Sequence, residues 1–508
     1  MNIINLFEKN VETSPDKTAL LNIEKSVTYK SLDINSKKYA HYFLSQNIKK
    51  NDIVLLFIPV SVTLYEIILG LLQIGAVSMF IDPGAGIKNI QKCCETVMPN
   101  VIIGCYKSQL LKLLNPLSKI KKSITTSKYL FFIPQLSDAI NFEPISKDYE
   151  ISDDDPALIT FTSGSTGSPK AILRSHGFLS CQHHILCKTL NHNINDIELN
   201  TLPIFILSNL ASGITTVLPD CSLRKPGAAD PIKIINQLKT LQITNILASP
   251  AFCEQITNYL LENNLHMDEI KTVYTGGGPV FPNLIRGLKK VFPYSKIVTV
   301  YGSTEAEPIS EIEFSEITNE DFINMGKGSG LLVGKPINDI TLAIIPDTSD
   351  KCLGPFTKEN FKAFSLSPGQ IGEIVVSGDH VLKKYLNEDN SGIKFCVDNE
   401  IWHRTQDAGY LDLQGRLWLL GRCSAKVQDD AGIIYPFSIE AAAMLDSNIK
   451  RAAYIKRHDK KILVLEVKNK ISPDLNIPNV DEIKILDAIP VDKRHNSKVL
   501  YQKLERML

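Results

Sequence analysis

Short apolar runs separated by helix-length segments recur along most of this chain, and that alternation restricts its fold more than any other feature. Ile53–Pro59 reads as a strand, Thr63–Ile74 as a helix, and Ala76–Ile81 as a second strand ending at Asp82-Pro83-Gly84. Further strand-like runs stand at Val101–Gly104, Asn245–Ala248, Thr272–Thr275 and Ile297–Val300. Strands in alternation with helices build parallel sheets covered on both faces. After about Gly330 the texture changes. Ile340–Ile345, Gly372–Val376, Gly409–Leu411 and Leu417–Leu420 are short strands separated by turns, which predicts a small antiparallel, β-barrel-like part. Past Gly421 come a helix at Ser438–Leu445, strands near Ala452–Ile455 and Ile462–Lys468, and a basic C-terminal helix. The expected fold is α/β: a large N-terminal domain over residues 1–421, then a small α+β domain over 422–508.

Lysine plus arginine number 55 and aspartate plus glutamate 55, so the 508-residue chain is formally neutral. It has no overall field to gather nucleic acid, which is not an expected partner, or an anionic membrane, and any recognition by charge must be local. The most apolar stretches, Ile53–Val60 and Ile67–Ile81, are broken by Pro59 and Gly70 and fall short of the ~18–20 residues of a membrane span. The ten cysteines are scattered apart from Cys93-Cys94, with no CxxC pair or Cys/His cluster, so neither a disulfide framework nor a zinc site is indicated. The start, MNIINLFEKN, lacks a basic region followed by an apolar run and does not read as a secretory signal. The expectation is a reduced, cytoplasmic protein.

The most informative segment is Phe161-Thr162-Ser163-Gly164-Ser165-Thr166-Gly167-Ser168-Pro169-Lys170. Glycine lets the backbone approach an anion closely, hydroxyls donate hydrogen bonds to it, and lysine adds a point charge. A run of hydroxyls alone reads equally well as a flexible surface loop. Here apolar Ala157–Phe161 precedes it and Ala171–Leu173 follows, which makes a strand–loop–strand turn and favours a polyphosphate cradle. The GxxxxGK[ST] spacing of a Walker loop is absent.

The segment resembles the phosphate loop of the adenylate-forming superfamily, [ST]SG[ST]TGxPK, and further family segments come after it in order. Gly276-Gly277-Gly278-Pro279, by itself a plain β-turn, resembles the glycine turn lining the adenine pocket. Tyr301-Gly302-Ser303-Thr304-Glu305 is similar to the family's YGxTE motif. By that resemblance Tyr301 stacks on adenine, Thr304 binds the α-phosphate and Glu305 ligates Mg2+. Asp407 in Thr405-Gln406-Asp407-Ala408-Gly409-Tyr410 matches the acid that binds the ribose hydroxyls, and Arg422 the arginine that closes on the same sugar. Lys498, which alone reads as one cation on a solvated tail, aligns with the late catalytic lysine, with Ser497 where the family usually has glycine. The resemblance runs from Thr28-Tyr29-Lys30-Ser31-Leu32 to Lys498, and it implies that residues 422–508 form a small mobile lid.

The implied activity is ATP-dependent: a carboxylate attacks the α-phosphate, giving acyl-AMP and pyrophosphate. Departures from the family pattern bear on the fate of that adenylate. Ser424 and Ala425 stand where thioester-forming ligases carry a hinge acid, and Asp429-Asp430 where they carry a basic glycine-bearing turn. Leu202-Pro203-Ile204-Phe205-Ile206-Leu207 lacks the histidine found there in many acyl-CoA synthetases. Leu202–Asp220, Asn245–Pro250 and Val491–Lys498 look closer to the β-lactone synthetases of olefin biosynthesis, which activate a 3-hydroxy acid and need no thiol acceptor. Phe205, Ile206, Leu207 and Leu210 would suit an alkyl chain, or serve as ordinary core. The residues leave three readings: adenylation of a fatty 3-hydroxy acid with lactone closure, adenylation with transfer to CoA or an acyl-carrier protein, and a non-catalytic nucleotide-binding protein.

Overall fold

In the computed structural model, which describes residues 2–508 apart from 131, 147–148, 164–168, 349–351, 388–389, 391, 431, 470–474, 476 and 493–496, the run Ile53–Phe57 is a strand. It feeds the helix Val62–Gln73, capped by Ser61, whose hydroxyl accepts from the Leu64 N–H at 3.3 Å. That helix is apolar on nearly every side and buried along almost its whole length, as the absence of a polar face requires. The chain then turns at Gly75, with φ +69°, into Val77–Met79, parallel to Ile53–Phe57.

The chain folds as two compact units. The first comprises Met1–Leu223, Leu241–Ile243 and Lys384–Asp389. Its six-stranded sheet runs in the order Lys122–Thr125, Val101–Gly104, Ile53–Phe57, Val77–Met79, Pro156–Ser163 and Pro169–Ser175. The first five strands are parallel, and the last turns back antiparallel. A second group pairs Ile197–Asn200, Thr215–Val217 and Thr18–Leu21 in parallel, with Ser26–Thr28 antiparallel at its end. Phe7, Tyr29, Leu32, Phe43 and Leu71 anchor the apolar core of this unit.

The second unit comprises Arg224–Thr240, Thr244–Lys383 and Asn390–Leu508. Asn245–Ala248, Thr272–Gly276 and Lys296–Ser303 are parallel, and from Ala306–Glu313 onward the strands turn antiparallel. The antiparallel texture therefore starts earlier than the Gly330 read from sequence, because Thr304 and Glu305 form a tight reversal rather than a crossover. It continues through Leu331–Pro336, Leu417–Arg422, Glu400–Leu411, Gly372–Ser377 and Thr341–Ile345. The C-terminal segment pairs Ile449–Arg457 with Lys460–Val467, and that strand with Glu482–Ile485. Its helices Pro436–Ala443 and Tyr501–Met507 cover it, with Ile439, Tyr454, Leu463 and Leu504 buried. Among the described residues no helix is long and apolar enough to cross a membrane, and none of the ten cysteines forms a disulfide.

One buried carboxyl ties this segment together. Glu440, 1% exposed, accepts from the Tyr454 N–H at 2.9 Å and the Tyr501 hydroxyl at 2.8 Å. Burial pushes its carboxyl up to about 8. A carboxyl raised in the folded state holds its proton more tightly there, so its contribution to stability is complete below the unfolded value and is lost as pH climbs toward about 8. Glu440→Gln keeps an acceptor but does not titrate. Its melting temperature is expected to gain on that of the parent steadily from about pH 5 to pH 8. A constant difference across that range would show that the carboxyl does not titrate in this window.

Candidate active site

Thr162 and Lys170 face each other across the hairpin Pro156–Ser163/Pro169–Ser175 of the first unit. Ser163 is the C-terminal end of a strand in a parallel array, where such sheets bind ligands. Gly164, Ser165, Thr166 and Gly167 lie outside the described residues, as does the Ser163 side chain. Lys170 Nζ stands 5.1 Å from the ring centroid of Tyr385, which is buried. Arg174, on the same strand, is buried and donates to Thr160 Oγ1 at 2.7 Å.

In the second unit Tyr301, Asp407 and Arg422 form one cluster. Asp407 and Arg422 are register partners on neighbouring antiparallel strands, so both side chains leave the same face. Arg422 Nη1 lies 3.3 Å from Asp407 Oδ1 and donates to the Thr405 carbonyl at 2.9 Å. The Tyr301 hydroxyl donates to Asp407 Oδ2 at 2.8 Å. Desolvation, reinforced by the Asp407 charge, holds the Tyr301 phenol well above its ordinary value. The Asp407 carboxylate raises Arg422 in turn, and Glu305 adds to that field. The cluster is a pair of opposite charges with an aromatic ring beside it, and the guanidinium remains half-exposed.

The strand that carries Asp407 is bent to present it. Gln406 adopts φ +60°, a left-handed conformation uncommon for a non-glycine residue. Its N–H is held at 3.2 Å by Glu373 Oε1, while Glu373 Oε2 accepts from Arg404 Nε at 2.9 Å. Both Glu373 and Arg404 are buried, so the pair compensates two charges and anchors the bend in one contact. Thr304 and Glu305 occupy the reversal after Lys296–Ser303, where the Glu305 carbonyl accepts from the Leu382 N–H at 2.7 Å.

The glycine turn follows the strand Thr272–Gly276. A Cβ at Gly276 would meet the Val300 carbonyl oxygen at 2.5 Å, so no larger residue fits there without a shift. Gly277 takes φ +82°. A Cβ at Gly278 would overlap the Ser497 side chain, which seats the C-terminal hairpin on this turn. Within that hairpin Asp492 Oδ1 accepts from the N–H groups of Lys498 at 2.8 Å and Ser497 at 3.2 Å. The Asp492 N–H donates to the Lys498 carbonyl at 2.9 Å, and Val491 bridges Val499. Lys498 itself is exposed.

A family profile described as AMP-binding enzyme matches residues 7–386. The chain belongs to the AMP-binding enzyme family. It is similar to an olefin beta-lactone synthetase of Xanthomonas campestris pv. campestris, at 25% identity over 94% of this chain and 90% of the relative. A second olefin beta-lactone synthetase, from Stenotrophomonas maltophilia, is 24% identical over the same shares. The fold matches o-succinylbenzoate coenzyme A synthetase from Bacillus subtilis, solved in complex with ATP and magnesium ion, with a TM-score of 0.76 and 19% identity. That match covers 98% of this chain and 99% of the other. The chain is thus an AMP-forming ligase of the adenylate-forming superfamily.

Three residues of this AMP-binding enzyme were not legible from its sequence. Tyr385 lies far along the chain from Lys170 and carries no motif. Glu373 acts through a backbone bend that no local pattern announces. Asp492 sits in a polar tail, and only its spacing of five and six residues from the N–H groups it holds gives a signal.

Proposed function

We propose that this chain uses ATP to activate a fatty 3-hydroxy acid as its acyl-adenylate, with release of pyrophosphate, and then closes the acid to a β-lactone. The observation that carries the reading is the hairpin bearing Lys498, seated on the Gly276–Gly278 turn and clamped by Asp492. Tyr301 and the glycine turn take the adenine, and Asp407 and Arg422 hold the ribose. Thr162, Ser163 and Lys170, with the loop they flank, hold the phosphates, and Thr304 donates to the α-phosphate. Glu305 is the protein carboxylate for Mg2+, which when bound neutralises phosphate charge. A hard cation shared with phosphate oxygens needs only one or two carboxylates, and Glu305 supplies one. Lys498 bridges the attacking carboxylate and the α-phosphate, so that negative charge developing there meets a fixed cation. Residues 422–508 serve as the lid that delivers it.

In the second step the substrate's 3-hydroxyl oxygen attacks the activated carbonyl carbon. The new C–O bond forms as the bond to AMP breaks, and the hydroxyl proton passes to solvent. Similarity to two olefin beta-lactone synthetases across most of the chain supports this step over transfer to CoA or an acyl-carrier protein. The segment after Arg422 supports it as well. Cys423–Ala425 is a short 3-10 turn without the hinge acid, and just beyond it Lys426 Nζ and the Tyr435 hydroxyl bind Asp347 Oδ2 at 2.9 and 2.8 Å.

Pyrophosphate release measured with ATP, Mg2+ and a panel of acids tests the first step. Release that depends on 3-hydroxy fatty acids is expected, and no release with any acid would contradict it. The clamp gives a further expectation. Asp492→Ala leaves two N–H groups of the lysine hairpin without their acceptor, and displacement of a catalytic group by about 1 Å costs roughly 10²-fold. Its kcat should fall by about that factor with KM for ATP little changed. Asp492→Asn, which keeps an acceptor oxygen, should recover most of the loss.

A further inference from the structure

Between Glu95 and Asp138 the chain carries six lysines and no acidic residue, although the protein as a whole is balanced. Lys112 donates to Ser123 Oγ at 2.8 Å and Lys122 to the Asn47 carbonyl, while Lys107, Lys119, Lys121 and Lys128 are exposed. In the same stretch large apolar side chains project into solvent. Leu113 is 81% exposed, Tyr129 88% and Phe132 72%, and Tyr106 and Leu110 are exposed beside them.

The fold gathers these groups at one edge of the sheet in the first unit. Lys122–Thr125 is the edge strand and Val101–Gly104 its parallel neighbour, so the segments leaving their C-terminal ends lie side by side. The Tyr106 N–H donates to Ser127 Oγ at 2.9 Å and the Thr126 N–H to the Gly104 carbonyl at 3.1 Å, joining the two. Within the helical stretch Tyr106–Leu110 and Leu111–Leu113 the amphipathic order is inverted. Tyr106, Leu110 and Leu113, spaced by four and three residues, share the outward face. The polar side chains of Ser108 and Gln109 are buried instead, with Gln109 Nε2 donating to the Ile124 carbonyl at 2.9 Å. An apolar outward face on a stretch of chain that carries lysines and no acid is an arrangement that water alone does not favour.

We propose that this surface docks the protein on an anionic lipid bilayer. The lysines meet lipid phosphates, and the apolar tips enter the headgroup layer. Projecting tyrosine, phenylalanine and leucine side chains bracketed by lysine, with no acid among them, match an interface of that chemistry. Lysines beside an apolar face complement the phosphates and the underlying apolar layer that an anionic bilayer presents together. Docking is reversible and independent of the reaction chemistry.

Co-sedimentation of the full chain with vesicles tests the proposal. Binding to phosphatidylglycerol–phosphatidylcholine vesicles is expected at low salt, with at least tenfold weaker binding near 0.5 M salt and none to phosphatidylcholine alone. Each lysine near an anionic surface strengthens binding about fivefold. The combined substitution Lys107→Glu, Lys119→Glu, Lys121→Glu and Lys128→Glu should therefore weaken it by at least about a hundredfold. Leu113→Ser with Tyr129→Ser and Phe132→Ser should weaken it at least tenfold. These side chains are exposed, so an unchanged melting temperature separates lost docking from lost fold. No sedimentation with anionic vesicles, equal binding to neutral ones, or variants that bind like the parent would overturn the proposal. So would a surface that ignores vesicles yet binds polyglutamate through these lysines, which would mark a dock for an acidic protein.

Discussion

Lys498→Ala is expected to lower kcat for pyrophosphate release about 10²- to 10³-fold, the range for removing one fixed charge that meets a developing anion. The KM for ATP should move little, because the lysine is proposed to act when charge builds on the reacting atoms rather than when the nucleotide first binds. Its side chain is exposed and the hairpin is held by Asp492 through backbone N–H groups, so the fold does not depend on it. The melting temperature of the variant should match that of the parent. Lys498→Arg keeps the charge but replaces a compact ammonium with a planar fork, and it should restore only part of the rate. Equal rates for the alanine variant and the parent, measured as pyrophosphate released under saturating ATP and acid, would remove the lysine from the chemistry.

Asp407→Ala should act on binding instead. The carboxylate accepts from the Tyr301 hydroxyl and pairs with Arg422, so its loss removes the acceptor of the phenol and leaves the guanidinium held by the Thr405 carbonyl. Hydrogen bonds to a charged group contribute about 1.5–3 kcal/mol each. Losing the proposed ribose contacts together with the order of Tyr301 should raise the KM for ATP by about 10- to 100-fold. The kcat should fall less, since Asp407 is proposed to touch the sugar rather than the reacting phosphate. Titration of AMP into each variant by calorimetry checks the assignment directly. Unchanged AMP affinity in Asp407→Ala would place the ribose elsewhere.

The alternating architecture was open to reading because its cause is local. Val101–Gly104 and Asn245–Ala248 are strands with the bounds read from the sequence, each a run of residues buried on both faces. The strand Glu482–Ile485 was missed for the opposite reason. Its isoleucines, Ile483 and Ile485, are the exposed positions, so the alternation points apolar groups outward and hides the signal. Among the motif residues of the second unit, Tyr301, Asp407 and Arg422 are in contact. What the sequence could not convey was the support beneath them. The bend at Gln406 depends on Glu373 and Arg404, which lie 31 residues apart and meet only once the sheet has formed. Asp492, whose side chain accepts from the Lys498 N–H, helps to place that lysine through a contact six residues away.

Activation is proposed to end in ring closure without a thiol. The most direct measurement is mass spectrometry of the products when the protein is incubated with ATP, Mg2+ and a 3-hydroxy fatty acid in the presence and absence of CoA. AMP and the β-lactone are expected in equal amounts without CoA, and no thioester when CoA is added. AMP release that strictly requires CoA, with acyl-CoA as the product, would contradict it.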